Sequence, residues 1–367
     1  MVASEVGLAA DRPLPWRLRA ASTWSPVVIS FPHVGMAWPA ELGEPPAADF
    51  ARNADYEVQS LYDDAAEHGA VCIEAVYSRL LVDLNRAGDD ISHAVVPDHP
   101  SPRPRRRPGL PNPAGESDDT SPLRPGRGVV WAHALGNVPL LSRPLHYDEF
   151  RARIDRFHEP YYRAIELLLE RRRRRFGYAI LLDAHSMPCS VGVDLVVGTL
   201  AGTSCASRIE SLALDALGHA EGPRLRLRLN DPYHGGELVR RFGRPSDGTH
   251  ALQLEVSRGL YMDERTSTLW SVPSGKGCAH TGPTPNPRPT ANARPTANPR
   301  PAANHRVDPS HPPTAKHAAD FAELRRRVSC LVGALVEGLD DASIAGTSAA
   351  SLRATEADLG PLPSDGP

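Results

Sequence analysis

Short apolar stretches rich in β-branched residues recur along the first two thirds of the chain. Residues 24–31 (WSPVVISF), 70–78 (AVCIEAVYS), 178–186 (YAILLDAHS) and 250–256 (HALQLEV) are of this kind. Their length and composition predict buried strands. Residues 224–230 (RLRLRLN) instead alternate between polar and apolar positions, which predicts a half-buried strand.

Helical periodicity separates these strands. Residues 53–68 predict an amphipathic helix whose apolar face is formed by Val58, Leu61, Tyr62 and Ala65. Gly69 follows, where glycine is favoured after a helix. Residues 147–175 predict a long helix bent near Pro160. The alternation of strands and helices predicts an α/β fold, with parallel strand pairs flanked by helices.

Two stretches break this pattern. Residues 97–127 are so rich in proline that neither a helix nor a sheet ladder fits them, and they predict a surface insertion. Residues 273–317 carry an imperfect Pro/Ala/Asn/Arg repeat that cannot bury a core, and they predict a disordered linker. The rest divides into an N-terminal segment (1–23), the main domain (24–272), a C-terminal helix that docks on it (318–340) and a loose tail (341–367).

Charge and cysteine content narrow the function classes. The chain has 41 Lys and Arg residues against 44 Asp and Glu residues, a formal net charge of -3. This balance gives no long-range attraction to nucleic acid or to a membrane. The five cysteines are scattered without a CxxC pair, which disfavours a disulfide framework and a thiolate zinc site. Without an apolar signal segment or membrane-length run, we expect a cytoplasmic protein.

Three side chains suited to metal binding or proton transfer lie at the ends of predicted strands. His33 follows the first strand, His185 comes near the end of strand 178–186, and Glu255 comes near the end of strand 250–256. Open α/β sheets place their sites at the carboxyl ends of strands. Two imidazoles and a carboxylate suit a catalytic zinc ion. Spacing alone leaves open that each histidine is an ordinary core or surface residue.

The motif SRLLVDLNR, residues 78–86, brings cations to the end of the second predicted strand. Arg79 and Arg86 have planar guanidinium groups that match a carboxylate, and Asn85 can add a hydrogen bond. A pocket containing these residues would favour an acidic small molecule. Two solvated surface arginines are the alternative interpretation.

Seven short motifs occur in order along the chain: SFPHVGMAWP, DYEVQSLYD, YSRLLVDLNR, LLDAHSMP, GTSC, NDPYHGG and LQLEVSRGLYMDE. Together they resemble the N-formylglutamate amidohydrolase family over about residues 27–264. The resemblance implies a three-layer α/β fold like those of the zinc carboxypeptidases and aspartoacylases (phosphorylase/hydrolase-like), with a mixed central sheet flanked by helices. It also implies hydrolysis of N-formyl-L-glutamate to glutamate and formate, in histidine degradation, with one divalent ion, zinc or cobalt, as cofactor.

The resemblance also implies the metal ligands. His33 and His185 match the two histidine ligands. In the carboxypeptidase relatives a glutamate lies three residues after the first histidine, but here that position is Met36, which cannot bind the ion. The motif DYE then supplies the third ligand. Asp55 is favoured because its position is acidic in the family, and Glu57 is the alternative.

Roles in catalysis follow from the same resemblance. Glu255 matches the catalytic glutamate, which takes a proton from the attacking water and passes it to the leaving amine. Arg79 is implied to contact the substrate and to stabilise the developing oxyanion. Asp183, two residues before His185, is expected either on the far face of its strand or as a residue that orients a ligand.

The substrate contacts are the point where this chain departs from the family pattern. Asn85 and Arg86 are implied to hold the α-carboxylate of the substrate. His234 occupies the position of a lysine in the deformylase itself, so it is the candidate to contact the substrate side chain. This difference leaves open an amidohydrolase for another N-acyl amino acid or a small peptide. A binding protein without catalysis is a further alternative, although the retained ligands and base argue against it.

Overall fold

A mixed sheet lies at the centre of the protein, in a computed structural model that describes residues 13–100, 127–218, 225–270 and 315–337. The predicted loose tail, most of the proline-rich insertion and nearly all of the predicted linker lie outside these residues. Within the described residues, no helix combines the length and apolar character needed to cross a membrane.

The sheet contains seven strands among the described residues, in the spatial order β1-β3-β2-β4-β7-β5-β6. Strands β3, β2, β4 and β7 are parallel to one another. Strand β1 is antiparallel to β3, and β5 is antiparallel to β7. The strands are β1 (Trp16–Arg19), β2 (Val27–Phe31), β3 (Val71–Ala75), β4 (Ala179–Met187), β5 (Leu195–Gly198), β6 (Leu227–Leu229) and β7 (Thr249–Ser257). A separate hairpin is formed by β8 (Met262–Asp263) and β9 (Thr268–Leu269).

The mixed α/β sheet with parallel pairs is confirmed, and all five predicted strands are present. The strand predicted at residues 224–230 is shorter and more exposed than expected, because β6 lies at the edge of the sheet. Strands β1 and β5 were not predicted. Each has only four residues, too few for a periodic signal.

The helices are α1 (Phe50–Asn53), α2 (Tyr147–Arg153), α3 (Glu159–Phe176), α4 (Ser207–Gly218), α5 (Glu237–Phe242) and α6 (Ala315–Glu337). A π-helical turn, Ile154–His158, joins α2 to α3. The helix predicted for residues 147–175 is therefore interrupted by a π turn just before Pro160. Pro160 lies in the first turn of α3, where a missing N–H is tolerated.

The continuous helix predicted for residues 53–68 is wrong. Ala54 is extended (φ −93°, ψ 168°) and Glu57 is left-handed (φ 58°), so the chain leaves the helix between them. It regains a 3₁₀ turn only at Val58–Tyr62. The interruption has a tertiary cause, because the Asp55 N–H donates to the carbonyl of His33 at 3.0 Å instead of continuing a helix.

Each face of the sheet has its own core. On one face, apolar residues of β2, β4 and β7 pack against α4 and α6, whose buried side chains include Ile209, Phe321 and Leu331. On the other face, Val28, Leu181 and Ala251 pack against α3.

The face covered by α3 changes character along the strands. Asp183 and His185 of β4 lie in register with Gln253 and Glu255 of β7, beyond the apolar residues of the same face. Alternate residues of a strand share a face, so these four side chains point the same way. The sheet therefore brings a polar group together at the carboxyl ends of its central strands.

Candidate metal centre

Three buried side chains from separate parts of the chain converge at this edge of the sheet. Ligand atoms of His33, Asp55 and His185 all lie within 4.8 Å of one another. His33 lies two residues beyond β2, and His185 lies in β4, which pairs with β2 in parallel. Asp55 reaches them from the irregular stretch after α1. The predicted convergence of the two histidines with an acidic residue is therefore present in the structure.

The two imidazole rings share one carboxylate oxygen. The Nδ1 atoms of His33 and His185 lie 3.2 Å and 2.8 Å from Asp55 Oδ2. Their Nε2 atoms face separate carboxylates, His33 at 2.7 Å from Asp83 Oδ1 and His185 at 2.8 Å from Asp183 Oδ2. Each ring is thus held between two acidic side chains.

This donor set fits a divalent metal ion. A ring with a carboxylate at both nitrogens must carry two protons, unless a cation takes the place of one of them. The two ring centroids are only 4.8 Å apart, so two cationic rings would repel each other. With an ion between the Nδ1 atoms and Asp55, each ring could remain neutral and donate through Nε2 to its outer carboxylate. That pattern is common around protein metal ligands.

The electrostatics keep the carboxylates charged. Burial by itself would raise the pKa of Asp55, but hydrogen bonds from His185 and His33 hold that pKa well below its usual value. Burial would likewise raise the pKa of Asp83, and Arg79 and His33 hold it well below. Burial opposes the charged form of His185, whereas Asp183 and Asp55 raise its pKa well above the usual value.

Glu255 lies beside this cluster, in register with His185 on the neighbouring strand, and is buried. Burial raises its pKa to about 7, with His185 opposing the shift and the carboxylates of Asp55 and Asp183 adding to it. Gln253 donates its side-chain N–H to Glu255 Oε1 at 2.8 Å. A carboxyl group with a pKa near neutrality can both accept and release a proton at physiological pH.

Arg79 lies at the edge of the cluster. Its guanidinium donates to Asp83 Oδ2 at 2.6 Å and lies over the ring of Trp131, 4.8 Å from the centroid. Burial opposes its charge, but Asp83 raises its pKa. Arg79 therefore supports the carboxylate that holds His33. Its contact with substrate stays a prediction.

Asn85, expected to contact the substrate, is bonded within the protein. Its Oδ1 accepts from the Leu238 N–H at 2.9 Å, and its Nδ2 lies 3.2 Å from Asp183 Oδ2 and 3.0 Å from His185 Nε2. Gly236 packs so closely that a Cβ there would lie 2.0 Å from Asn85 Nδ2. Its role toward a substrate stays a prediction.

The other predicted contacts occupy different surroundings. Arg86 is more than one third exposed and lies 3.7 Å from Asp90. The Nδ1 of His234 is buried and has no hydrogen-bond partner among the described residues.

Glu57 is outside the converging group, and its carboxylate accepts a hydrogen bond from Gln59. Asp183 lies on the same face of β4 as His185, 2.8 Å from its Nε2, so it is not on the far face, and its role in orienting a ligand stays a prediction.

Sequence reasoning missed several residues that support the cluster. Asp83 lies among the cations of residues 78–86, in a loop where strand periodicity gives no signal. Gln253 shares the face of Glu255 on β7, so strand periodicity could have indicated it. Ser186 donates to Asp55 Oδ1 at 3.2 Å. Arg258 donates to the carbonyl of Ala54 at 2.8 Å and lies 3.5 Å from Asp55 Oδ1. No sequence pattern signals these loop contacts.

Comparison with known proteins identifies the family of the chain. The N-formylglutamate amidohydrolase family model matches residues 25–262. The N-formylglutamate deformylase of Pseudomonas aeruginosa is 32% identical over 256 residues, which cover 65% of this chain and 83% of that protein. The N-formylglutamate deformylase of Pseudomonas putida is 29% identical over 256 residues, covering 65% of this chain and 82% of that one.

A solved structure shows the same fold. The crystal structure of N-formylglutamate amidohydrolase from Ralstonia eutropha JMP134 aligns with a TM-score of 0.62 and 23% identity, covering 89% of this chain and all of that one. The predicted family is therefore confirmed. The chain belongs to the N-formylglutamate amidohydrolase family, a family of hydrolases that act on amide bonds.

Proposed function

We propose that this chain is a metal-dependent amidohydrolase that converts N-formyl-L-glutamate, or a similar N-acyl acidic amino acid, to the free amino acid and formate. The observation that carries the proposal is the shared Asp55 oxygen, with an imidazole Nδ1 on either side and Glu255 alongside. Family membership supports the substrate class. We also propose that the fold of the chain is like that of the zinc carboxypeptidases.

His33, Asp55 and His185 would hold one divalent ion. Two nitrogens and one carboxylate oxygen suit zinc, and cobalt is the alternative. When bound, the ion supplies Lewis acidity, which makes water more acidic and polarises the formyl oxygen. Asp83 and Asp183 orient the two rings by accepting from their Nε2 atoms.

Glu255 then acts as the proton carrier. It accepts a proton from the attacking water as the water oxygen bonds to the formyl carbon. It returns that proton to the amino nitrogen as the C–N bond breaks, so formate and the free amine are released. Arg79 stabilises the negative charge that develops on the formyl oxygen. Asn85, Arg86 and His234 are the proposed contacts for the carboxylates of the substrate.

Two other functions remain as alternatives. His234 favours a related amidohydrolase whose substrate has a different side chain or acyl group. A binding protein without catalysis would not require a buried carboxyl group with a pKa of about 7 beside the cluster.

Turnover of N-formyl-L-glutamate should exceed that of N-acetyl and N-succinyl acidic amino acids, because family membership indicates a formyl substrate. The measurement is kcat/KM for each compound with the zinc-loaded protein, by release of the free amine. A higher kcat/KM for another acyl group would reassign the substrate. Absence of turnover with every compound would favour the binding protein.

The substitution Glu255→Gln should lower kcat by about 10²- to 10⁴-fold, because the amide cannot accept the proton from water. The metal content should remain stoichiometric, since Glu255 is outside the three converging ligands. The readouts are steady-state kinetics and elemental analysis. Glu166→Gln, on the exposed side of α3, is the matched control and should keep full activity. An active Glu255→Gln protein would refute the assignment of the base.

The substitution Asp55→Asn should weaken zinc affinity by at least about tenfold, because the shared oxygen would lose its charge. Glu57→Gln, two residues away, should keep the affinity of the unaltered protein, since Glu57 is outside the converging group. Zinc competition with a chromophoric chelator measures both. The reverse result would make Glu57 the third ligand.

The rate should fall as the pH decreases through the pKa of Glu255, because only the ionised carboxylate accepts a proton. Burial raises this pKa to about 7, and a cation bound nearby would lower it, so the acidic limb of kcat/KM should fall at or below about pH 7. Below that limb, kcat/KM should drop about tenfold per pH unit. A profile that is flat between pH 5 and pH 8 would contradict this role.

A further inference from the structure

Gln253 occupies a position between the proposed base and the loop that precedes α5. It lies in β7, two residues before Glu255 and on the same face of the sheet. The residue is buried, with 4% of its surface exposed. The amide N–H donates to Glu255 Oε1 at 2.8 Å, and the amide oxygen accepts from the Gly236 N–H at 2.7 Å. Both ends of the amide are therefore fixed, and so is its orientation.

The backbone at the start of α5, which binds Gln253 through Gly236, also binds Asn85. The Leu238 N–H donates to Asn85 Oδ1, and Asn85 Nδ2 lies 3.2 Å from Asp183, the carboxylate that faces His185. The backbone at 236–238 therefore anchors two amide side chains, one directed toward a proposed metal ligand and the other toward the proposed base. Gly236 permits this arrangement, because any Cβ there would overlap the Asn85 amide.

The bond from Gln253 distinguishes the two oxygens of Glu255. Oε1 accepts from the amide, so this bond fixes which of the two oxygens faces Gln253. Without this donor the carboxylate could rotate about its terminal bond, since such sp²-centred torsions are broad. The amide is neutral, so it orients Glu255 without adding a charge beside it.

We propose that Gln253 is a positioning residue for catalysis, which holds Glu255 in the orientation that accepts the proton from water. This inference rests on the proposed function, because it requires Glu255 to be the base. Gln253 itself does not touch the reacting atoms. Its effect must therefore pass through Glu255, and this requirement separates it from a residue that only stabilises the fold.

The test is a double-mutant cycle between Gln253→Met and Glu255→Gln. Gln253→Met should lower kcat about 10- to 100-fold, the range expected for losing a hydrogen bond to a charged group, with KM and zinc content little changed. In the Glu255→Gln background the same substitution should change the residual rate by less than about twofold, because residues that act together are not additive. A structural defect would instead lower the residual rate further.

Gln253→Glu is a second variant, which tests the proposal if Gln253→Met does not fold. The glutamate keeps the size of glutamine and an acceptor for the Gly236 N–H, but its ionised form cannot donate to Glu255. At a pH where both carboxyl groups are ionised, we expect at least as large a loss of kcat. The matched control is Gln59→Met, which breaks a bond of the same kind between Gln59 and Glu57 at 3.2 Å, outside the converging ligands. Its kcat should stay within about twofold of the unaltered protein.

The outcomes separate the two proposals. If the unaltered protein turns over and Glu255→Gln keeps only a small residual rate, normal kcat in both Gln253 variants overturns the positioning role alone. An equal loss of rate in both backgrounds also overturns it, because the effect would not pass through Glu255. Absence of turnover in the unaltered, zinc-loaded protein would overturn the proposed function together with this inference.

Discussion

The sharing of one Asp55 oxygen by two imidazole rings is the interaction on which the site depends. It gathers charged groups that are buried from water, and buried charges are tolerated only when they are paired. The outer carboxylates Asp83 and Asp183 complete the pairing, and Arg79 compensates Asp83. Removing any one partner would leave another charge buried without compensation, so the cluster forms as a unit.

Parallel strand pairing is what makes this unit possible. Since β2, β4 and β7 run in the same direction, His33, His185 and Glu255 reach the same edge of the sheet although more than 200 residues separate the first from the last. The same face is apolar beneath α3 and polar at the carboxyl ends of the strands. Burial near the apolar part raises the pKa of Glu255, so the core also contributes to the chemistry of the site.

Sequence alone was sufficient to locate the candidate residues that lie at the ends of the central strands. Apolar runs located β2, β4 and β7, and the rule for strand ends selected His33, His185 and Glu255 from among many polar residues. It failed at residues 53–68, where apolar spacing indicated one helix. The left-handed backbone of Glu57 and the bond from Asp55 to the His33 carbonyl are tertiary features, which periodicity cannot detect. Asp55 was identified only through the family resemblance.

Amide side chains contact Glu255 and Asp183, and the role proposed for Glu255 explains why a neutral donor matters there. A lysine in place of Gln253 would also donate to Glu255, but its charge would lower the pKa of the carboxyl group and weaken the proposed base. An apolar residue at position 253 would leave the pKa of Glu255 high, but it would not fix the orientation of the carboxylate. A glutamine bonded at its other end to the Gly236 N–H meets both requirements, since it orients the oxygen while burial continues to determine the pKa. By the same logic Asn85 contacts Asp183 without competing with the charge that Asp183 presents to His185.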